Sequence, residues 1–194
     1  TAKLAHAADM KNIFVTNGYM TPEALDTIQP YLDAANVDLK AFSNDFYREQ
    51  CGAKLTPVLE SLKKLKSMGV WLEVTTLVIP RVNDSDRELT EIAQFIKELG
   101  PETPWHVSRF HPTYLLKDTS STPVSTLKRA REIGLQVGLH YVYTGNVPGD
   151  QGEKTLCHTC GAVLIDRFGF ATGHYAIKKG QCPDCQTPVA GVGM

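Results

Sequence analysis

Residues 56–79 read Thr56-Pro57-Val58-Leu59-Glu60-Ser61-Leu62-Lys63-Lys64-Leu65-Lys66-Ser67-Met68-Gly69-Val70-Trp71-Leu72-Glu73-Val74-Thr75-Thr76-Leu77-Val78-Ile79 and change hydrophobic period once. In the first half Leu59, Leu62, Leu65 and Met68 fall on one side of a 3.6-residue repeat while Lys63, Lys64 and Lys66 point elsewhere, which predicts a one-faced helix. The second half, residues 72–79, takes the period of two of a strand. The same switch recurs from residue 12 to about residue 143, with strands predicted at 12–17, 37–40, 72–79, 105–110 and 140–143 and helices between them. Thr21-Pro22, Thr56-Pro57 and Thr122-Pro123 each place an N-cap hydroxyl before a proline at the first helical position, where the missing N–H does no harm. A further helix from about Ser85 turns Leu89, Ile92, Ala93, Ile96 and Leu99 to one side and ends at Gly100-Pro101. One-faced helices between strands build an α/β fold on a parallel sheet, either doubly wound or a barrel. No G-x-G-x-x-G follows any strand, so we expect a (β/α) barrel or part of one.

The 194-residue length fits one sizeable domain and a small appendage, because single cores occupy roughly 100–200 residues. A formal net charge of -1 provides no extended positive field, so bulk electrostatics do not point to nucleic acid. No apolar run approaches the roughly 20 residues of a membrane span, and the first residues lack a signal-peptide pattern, which makes the cytoplasm the default expectation. Leu4, Ala5 and Ala8 lie in a helical run, residues 2–10, with no obvious cap before it; we read the chain as a fragment of something longer.

Past residue 143 the composition shifts. Gly145, Pro148, Gly149 and Gly152 form a turn-rich linker, and beyond it residues 162–170 and 171–177 could pair as a small hairpin. The chain therefore divides at 1–145 and 146–194. The strongest chemical signal lies in the second part, Cys157-His158-Thr159-Cys160-Gly161 and Cys182-Pro183-Asp184-Cys185. A two-residue spacer lets two thiolates converge on one ion, and two such knuckles complete a tetrahedral shell of four sulfurs with no open position, which predicts a structural zinc site. Iron in a rubredoxin-like centre uses the same knuckles. His158 and His174 are spare donors that a full four-sulfur shell does not need. So short a segment buries little core, and the metal is expected to supply its folding energy. Cysteines paired this way fit a reducing compartment better than a disulfide framework.

Val37-Asp38-Leu39-Lys40 closes a predicted strand, with Asp38 and Lys40 on one face and Val37 and Leu39 on the other. In a barrel, charged groups at the C-terminal end of a strand face the mouth where ligands bind. A plain salt bridge between Asp38 and Lys40 is the alternative, and a Schiff-base lysine at Lys40 is a third reading. Asn17, before Gly18, stands at an equivalent strand end, although turn chemistry alone would explain it. His111, held extended before Pro112, could offer a ring nitrogen to a hydroxyl or be a satisfied structural histidine.

Taken in order, Thr16-Asn17-Gly18, Asp38-Leu39-Lys40, the strand ending at Pro80 and leading to Asn83-Asp84, and Phe110-His111-Pro112 resemble radical S-adenosylmethionine (SAM) enzymes of the pyruvate formate-lyase activating type. The match spans residues 1 to about 145, and with the four-cysteine tail the chain most resembles the AmmeMemoRadiSam system branch. The resemblance implies a six-stranded partial barrel, of which about four parallel strands would be present, followed by a zinc-ribbon-like module. It implies SAM and a [4Fe-4S] cluster in the full-length protein, an electron donor, and a 5′-deoxyadenosyl radical that abstracts hydrogen from a substrate. By analogy with activating enzymes, that substrate would be a glycyl-radical protein. Asp38, Lys40 and the Leu39 backbone carry over to the SAM site, His111 to the adenosine portion, and Asn17 to the same pocket. No C-x3-C-x2-C occurs here, so the fragment alone should hold no cluster and perform no radical chemistry. Its open sheet edge would need a cover, such as a second copy or a rearranged strand. Cys51 matches no cluster ligand and reads as a semi-buried small residue. A competing reading makes the four-cysteine ribbon a binding module on an α/β support, but Lys154, Arg167, Lys178 and Lys179 form a sparse basic stripe.

Overall fold

A computed structural model describes residues 1–169 and 171–193. Helix α1 (Ala2–Ala7) precedes a sheet of five strands: β1 (Ile13–Thr16), β2 (Ala34–Asp38), β3 (Trp71–Val78), β4 (Trp105–Arg109) and β5 (Val142–Gly145). They lie in chain order and every neighbouring pair is parallel. Parallel neighbours need crossovers. These are α2 (Pro22–Ile28), then α3 (Asn44–Cys51) with α4 (Leu55–Ser67), then α5 (Asp86–Leu99), then α6 (Val124–Val137). All five predicted strands are present, one more than the resemblance implies.

Burial alternates along the strands and settles the choice of architecture. In β3 Leu72, Val74, Thr76 and Val78 are buried, whereas Trp71, Glu73, Thr75 and Leu77 are not. The buried face continues through Val37, Trp105, Val107 and Val142 and packs against Leu62 and Leu65 of α4, Ile92 and Ile96 of α5, and Leu127 of α6. The opposite face is open: Ile13 and Val15 of β1 are 64% and 84% exposed. A doubly wound sheet is covered on both faces and changes strand order at a switch point. Strands in sequence order with cover on one side make the wall of a barrel.

Helix starts follow the sequence in part. Thr21 caps α2, its hydroxyl accepting from the Ala24 N–H at 3.2 Å, and Ser85 caps α5 through the Glu88 N–H. Thr56 does not cap: α4 begins two residues earlier than that reading, at Leu55 after Lys54. Nor does Thr122, whose hydroxyl donates to the Val78 carbonyl at 2.5 Å and accepts from the Phe110 N–H at 3.0 Å. Satisfying a buried carbonyl at a strand end outweighs capping a helix that water can reach. Helix α3 is only eight residues long and strongly polar, so it escapes a periodicity reading, although Ser43 caps it through the Phe46 N–H.

The C-terminal module is a second sheet, β6 (Thr155–Leu156), β7 (Val163–Phe168) and β8 (Ala171–Tyr175), with antiparallel pairing. Strands β7 and β8 form the predicted hairpin; Phe170 lies outside the described residues. Its small core joins Leu164, Ile165, Ile177 and Val189 to Cys157 and Cys182, and Tyr141 from the approach to β5 completes it. The ribbon thus packs beside the last strand of the barrel wall. No helix of the described residues is long and apolar enough to cross a membrane.

Candidate functional site

The four predicted metal ligands come together. The sulfurs of Cys157, Cys160, Cys182 and Cys185 all lie within 4.8 Å of one another, with Cys157 to Cys185 at 3.5 Å and Cys160 to Cys182 at 3.7 Å. A metal–sulfur bond of about 2.3 Å puts the corners of a tetrahedron about 3.8 Å apart, so the cavity fits one ion. A cubane cluster would hold its thiolates much farther apart. The two knuckles repeat one hydrogen-bond pattern. Cys157 N–H donates to the Ala162 carbonyl and Gly161 N–H to that of Cys157; Cys182 N–H donates to Thr187 and Gln186 N–H to Cys182. Gly161 and Gln186 both take left-handed backbone conformations to close these turns. Thr187 lowers the Cys185 thiol to about 6, through its hydroxyl and then its N–H. His158 is no ligand: its ring stacks on His140, centroids 3.9 Å apart.

At the other candidate site, Asp38 ends β2 and shares the open face with Asn36. Lys40, two residues on, places Nζ 2.8 Å from Asp38 Oδ2, with both side chains about one-third exposed. Four further hydrogen bonds fix this strand end. The Lys40 N–H donates to the Tyr47 hydroxyl at 3.1 Å, and its carbonyl accepts from Asn83 Nδ2 at 2.6 Å. Burial pushes the Tyr47 phenol up to about 12, so it stays neutral. Leu39 is fully buried, its N–H donating to the Thr75 carbonyl and its own carbonyl accepting from the Thr76 hydroxyl.

Asn17 and His111 follow the ends of β1 and β4, so parallel pairing puts them on the same sheet edge as Asp38 and Lys40. Asn17 is exposed, and its Oδ1 accepts from the Tyr19 N–H, as turn chemistry requires. His111 is exposed, and β3 separates it from β2, a span of about 10 Å for two strand spacings. Among the described residues only Asp38 and Lys40 of this set touch. Cys51 is partly buried, and burial raises its thiol.

Comparison with solved structures places this architecture. A domain of pyruvate-formate lyase-activating enzyme from Bacteroides vulgatus matches with a TM-score of 0.66 at 15% identity, over 75% of this chain and 87% of that one. A radical SAM methyltransferase from Sphaerobacter thermophilus matches at 0.55 and 16% identity, over 75% and 46%. The fold is that of radical SAM enzymes. Streptococcus suis SuiB bound to S-adenosylmethionine matches with a TM-score of 0.55 at 12% identity, over 68% of this chain and 31% of SuiB. No family model matches the chain. Among curated sequences, an uncharacterised protein of Methanocaldococcus jannaschii is 47% identical over 171 residues, 88% of this chain and 50% of that protein. Isethionate sulfite-lyase activating enzyme of Nitratidesulfovibrio vulgaris is 29% identical over 87 residues, 44% of this chain and 28% of the enzyme. The chain spans half or less of the length of these curated relatives.

Two groups in this radical SAM fold escaped the sequence reading. One is Asn83, noted only within a motif: it is 1% exposed and clamps the turn after β3 to the end of β2. The other is a polar row on the open face, Asn36, Glu73, Thr75, His106 and Tyr143. Strict alternation along β3, where Glu73 and Thr75 interrupt an apolar strand, was the available signal.

Proposed function

We propose that this chain is the C-terminal part of a cytoplasmic radical SAM enzyme, with residues 1–145 contributing to its barrel and residues 146–194 forming a structural zinc ribbon. The observation that carries this reading is the charged pair Asp38 and Lys40, held at a strand's C-terminal end on the open face of a sheet with that fold. A carboxylate and an ammonium suit the charged ends of the methionine part of SAM. Ligand entry would exchange their mutual ion pair for two contacts with SAM. Leu39, whose peptide groups are occupied by β3, serves as the apolar anchor between them. His111 would approach the adenosine portion, and Asn17 would stand at the rim. When bound, a [4Fe-4S] cluster and SAM supply reductive cleavage to a 5′-deoxyadenosyl radical. The five cysteines here offer no C-x3-C-x2-C, so the cluster ligands belong to sequence outside these residues and the chain alone is inactive. An electron donor serves the full-length protein, and a glycyl-radical protein is the substrate suggested by the activating enzymes it resembles.

The other readings find less support. Lys154 pairs with Asp166 at 3.2 Å and Arg167 turns toward Tyr143, so Lys178 and Lys179 are what remains of a basic stripe on the ribbon. For an imine-forming Lys40, the amine is engaged by Asp38.

Equilibrium dialysis with labelled SAM tests the pocket in the cluster-loaded full-length protein. Asp38→Asn and Lys40→Met are each expected to weaken binding about tenfold or more, since one hydrogen bond to a charged group is worth roughly 1.5–3 kcal/mol. Unchanged affinity in both variants would remove these residues from the SAM site.

A further inference from the structure

Parallel register arranges the open face in rungs. Asn36 pairs with Glu73, Asp38 with Thr75, Thr75 with His106, and His106 with Tyr143. Glu73 therefore lies one alternate step, roughly 7 Å, below the level of Asp38, deeper along the barrel wall. His106 Nε2 sits 2.7 Å from Glu73 Oε2, and the Trp71 indole N–H donates to Glu73 Oε1 at 3.1 Å. The Thr75 hydroxyl donates to Asn36 Oδ1 at 2.7 Å. Burial alone would raise Glu73, but the hydrogen bond from His106, the positive charge His106 carries when protonated, and hydrogen bonds from Trp71 and Asn36 outweigh it and hold the carboxyl below its ordinary range. An ionised carboxylate can only accept, so it keeps a proton on Nε2. Nδ1 has no hydrogen-bond partner among the described residues.

The other side of the imidazole is set by the ribbon. His106 stacks on Tyr143 with centroids 5.2 Å apart, and the Arg167 guanidinium lies 5.7 Å from the Tyr143 ring centre. Arg167 and the Tyr143 hydroxyl both meet Thr155 Oγ1, at 2.6 and 3.0 Å. Glu73, His106, Tyr143 and Arg167 line one cleft of about 780 Å³ between the sheet's open face and the ribbon. That volume is in the range of small-molecule and side-chain sites.

We propose that His106, oriented by Glu73 on one ring nitrogen and by Tyr143 beneath Arg167 of the ribbon, presents Nδ1 as a hydrogen-bond acceptor for a hydroxyl or amine group of the molecule that enters the barrel. Arg167 is then a positioning residue, and the metal ribbon is part of the wall that shapes the site. The identity of the incoming molecule as a radical SAM substrate rests on the function proposed above; the state of the imidazole does not. A histidine serving only as the cation of a half-buried ion pair would instead carry protons on both nitrogens.

The test is NMR of the zinc-loaded chain labelled with 15N-histidine, at pH 8 and without SAM. The expected result is a His106 ring protonated at Nε2 and unprotonated at Nδ1, with a slowly exchanging Nε2 proton. Arg167→Ala should abolish that slow exchange while the ribbon stays folded and metal-bound, and Arg167→Lys, which keeps a cation at Tyr143, should restore part of it. Protons on both nitrogens, the opposite tautomer, or a His106 signal indifferent to Arg167→Ala would overturn the proposal. Failure to bind SAM would sink the functional reading without altering these signals, so the two can fail separately.

Discussion

Removing the metal from Cys157, Cys160, Cys182 and Cys185 is expected to unfold the ribbon and leave the five-stranded sheet standing. Among the described residues the ribbon's own core has four buried aliphatic side chains, Leu164, Ile165, Ile177 and Val189, together with two of the ligands themselves. Burying those four side chains contributes roughly 6–12 kcal/mol, less than the ordering of the ribbon's backbone costs, and a structural zinc site adds roughly 10–16 kcal/mol. The sheet depends on a separate and larger core, built from Leu62, Leu65, Ile92, Ile96 and Trp105 among others. A strong chelator, or Cys182→Ser at a 1% exposed ligand, should therefore collapse the dispersed amide signals of residues 155–193 and preserve those of β1 to β4. Elemental analysis should give one metal per chain before treatment. Acidification acts in the same direction, because the ligands bind as thiolates and protons compete for them. Thr187, through its hydroxyl and then its N–H, lowers the Cys185 thiol and so favours its ligating form, but enough acid is expected to release the metal. A metal-free ribbon with undiminished amide dispersion would show that the knuckles fold without an ion.

Loss of Asn83 should be nearly as damaging. Its Oδ1 accepts from the Ile79 N–H at 2.6 Å, and its Nδ2 donates to the carbonyls of Lys40 at 2.6 Å and Leu77 at 2.9 Å. Asn83→Ala leaves one N–H and two carbonyls without partners in a site that is almost wholly buried. At roughly 1–3 kcal/mol for each unsatisfied group, with partial relaxation, a loss of about 3–5 kcal/mol is expected in urea denaturation. The released carbonyl belongs to Lys40, so SAM affinity should fall as well, although Asn83 touches no ligand. Its half-buried neighbour Asp84, which accepts from the Arg81 N–H in the same turn, should cost under about 1 kcal/mol when replaced by alanine. Equal effects at Asn83 and Asp84 would contradict the clamp.

What could be read from the chain follows from how local each signal is. All five sheet strands come from apolar runs of period two, and the metal ligands come from spacing alone. These features depend on residues close together in sequence. The strand β2 starts earlier than expected because Ala34 and Ala35 are too small to announce a strand. Thr122 was misassigned because its partner, the Val78 carbonyl, lies 44 residues away and appears only when the sheet forms. Glu73 and His106 stayed hidden for the same reason: each is an ordinary polar residue until register brings them to 2.7 Å. Family resemblance pointed to Asp38 and Lys40, and geometry showed that Tyr47 and Asn83 hold them in place.

One reaction decides between a radical SAM enzyme and a bystander with its fold. The full-length protein containing this sequence, loaded with iron and sulfide and reduced with dithionite, should convert SAM to 5′-deoxyadenosine and methionine. Asp38→Asn should slow that conversion with the cluster intact. A cluster-bearing, reduced protein that leaves SAM untouched would contradict the proposed function, whatever the fold.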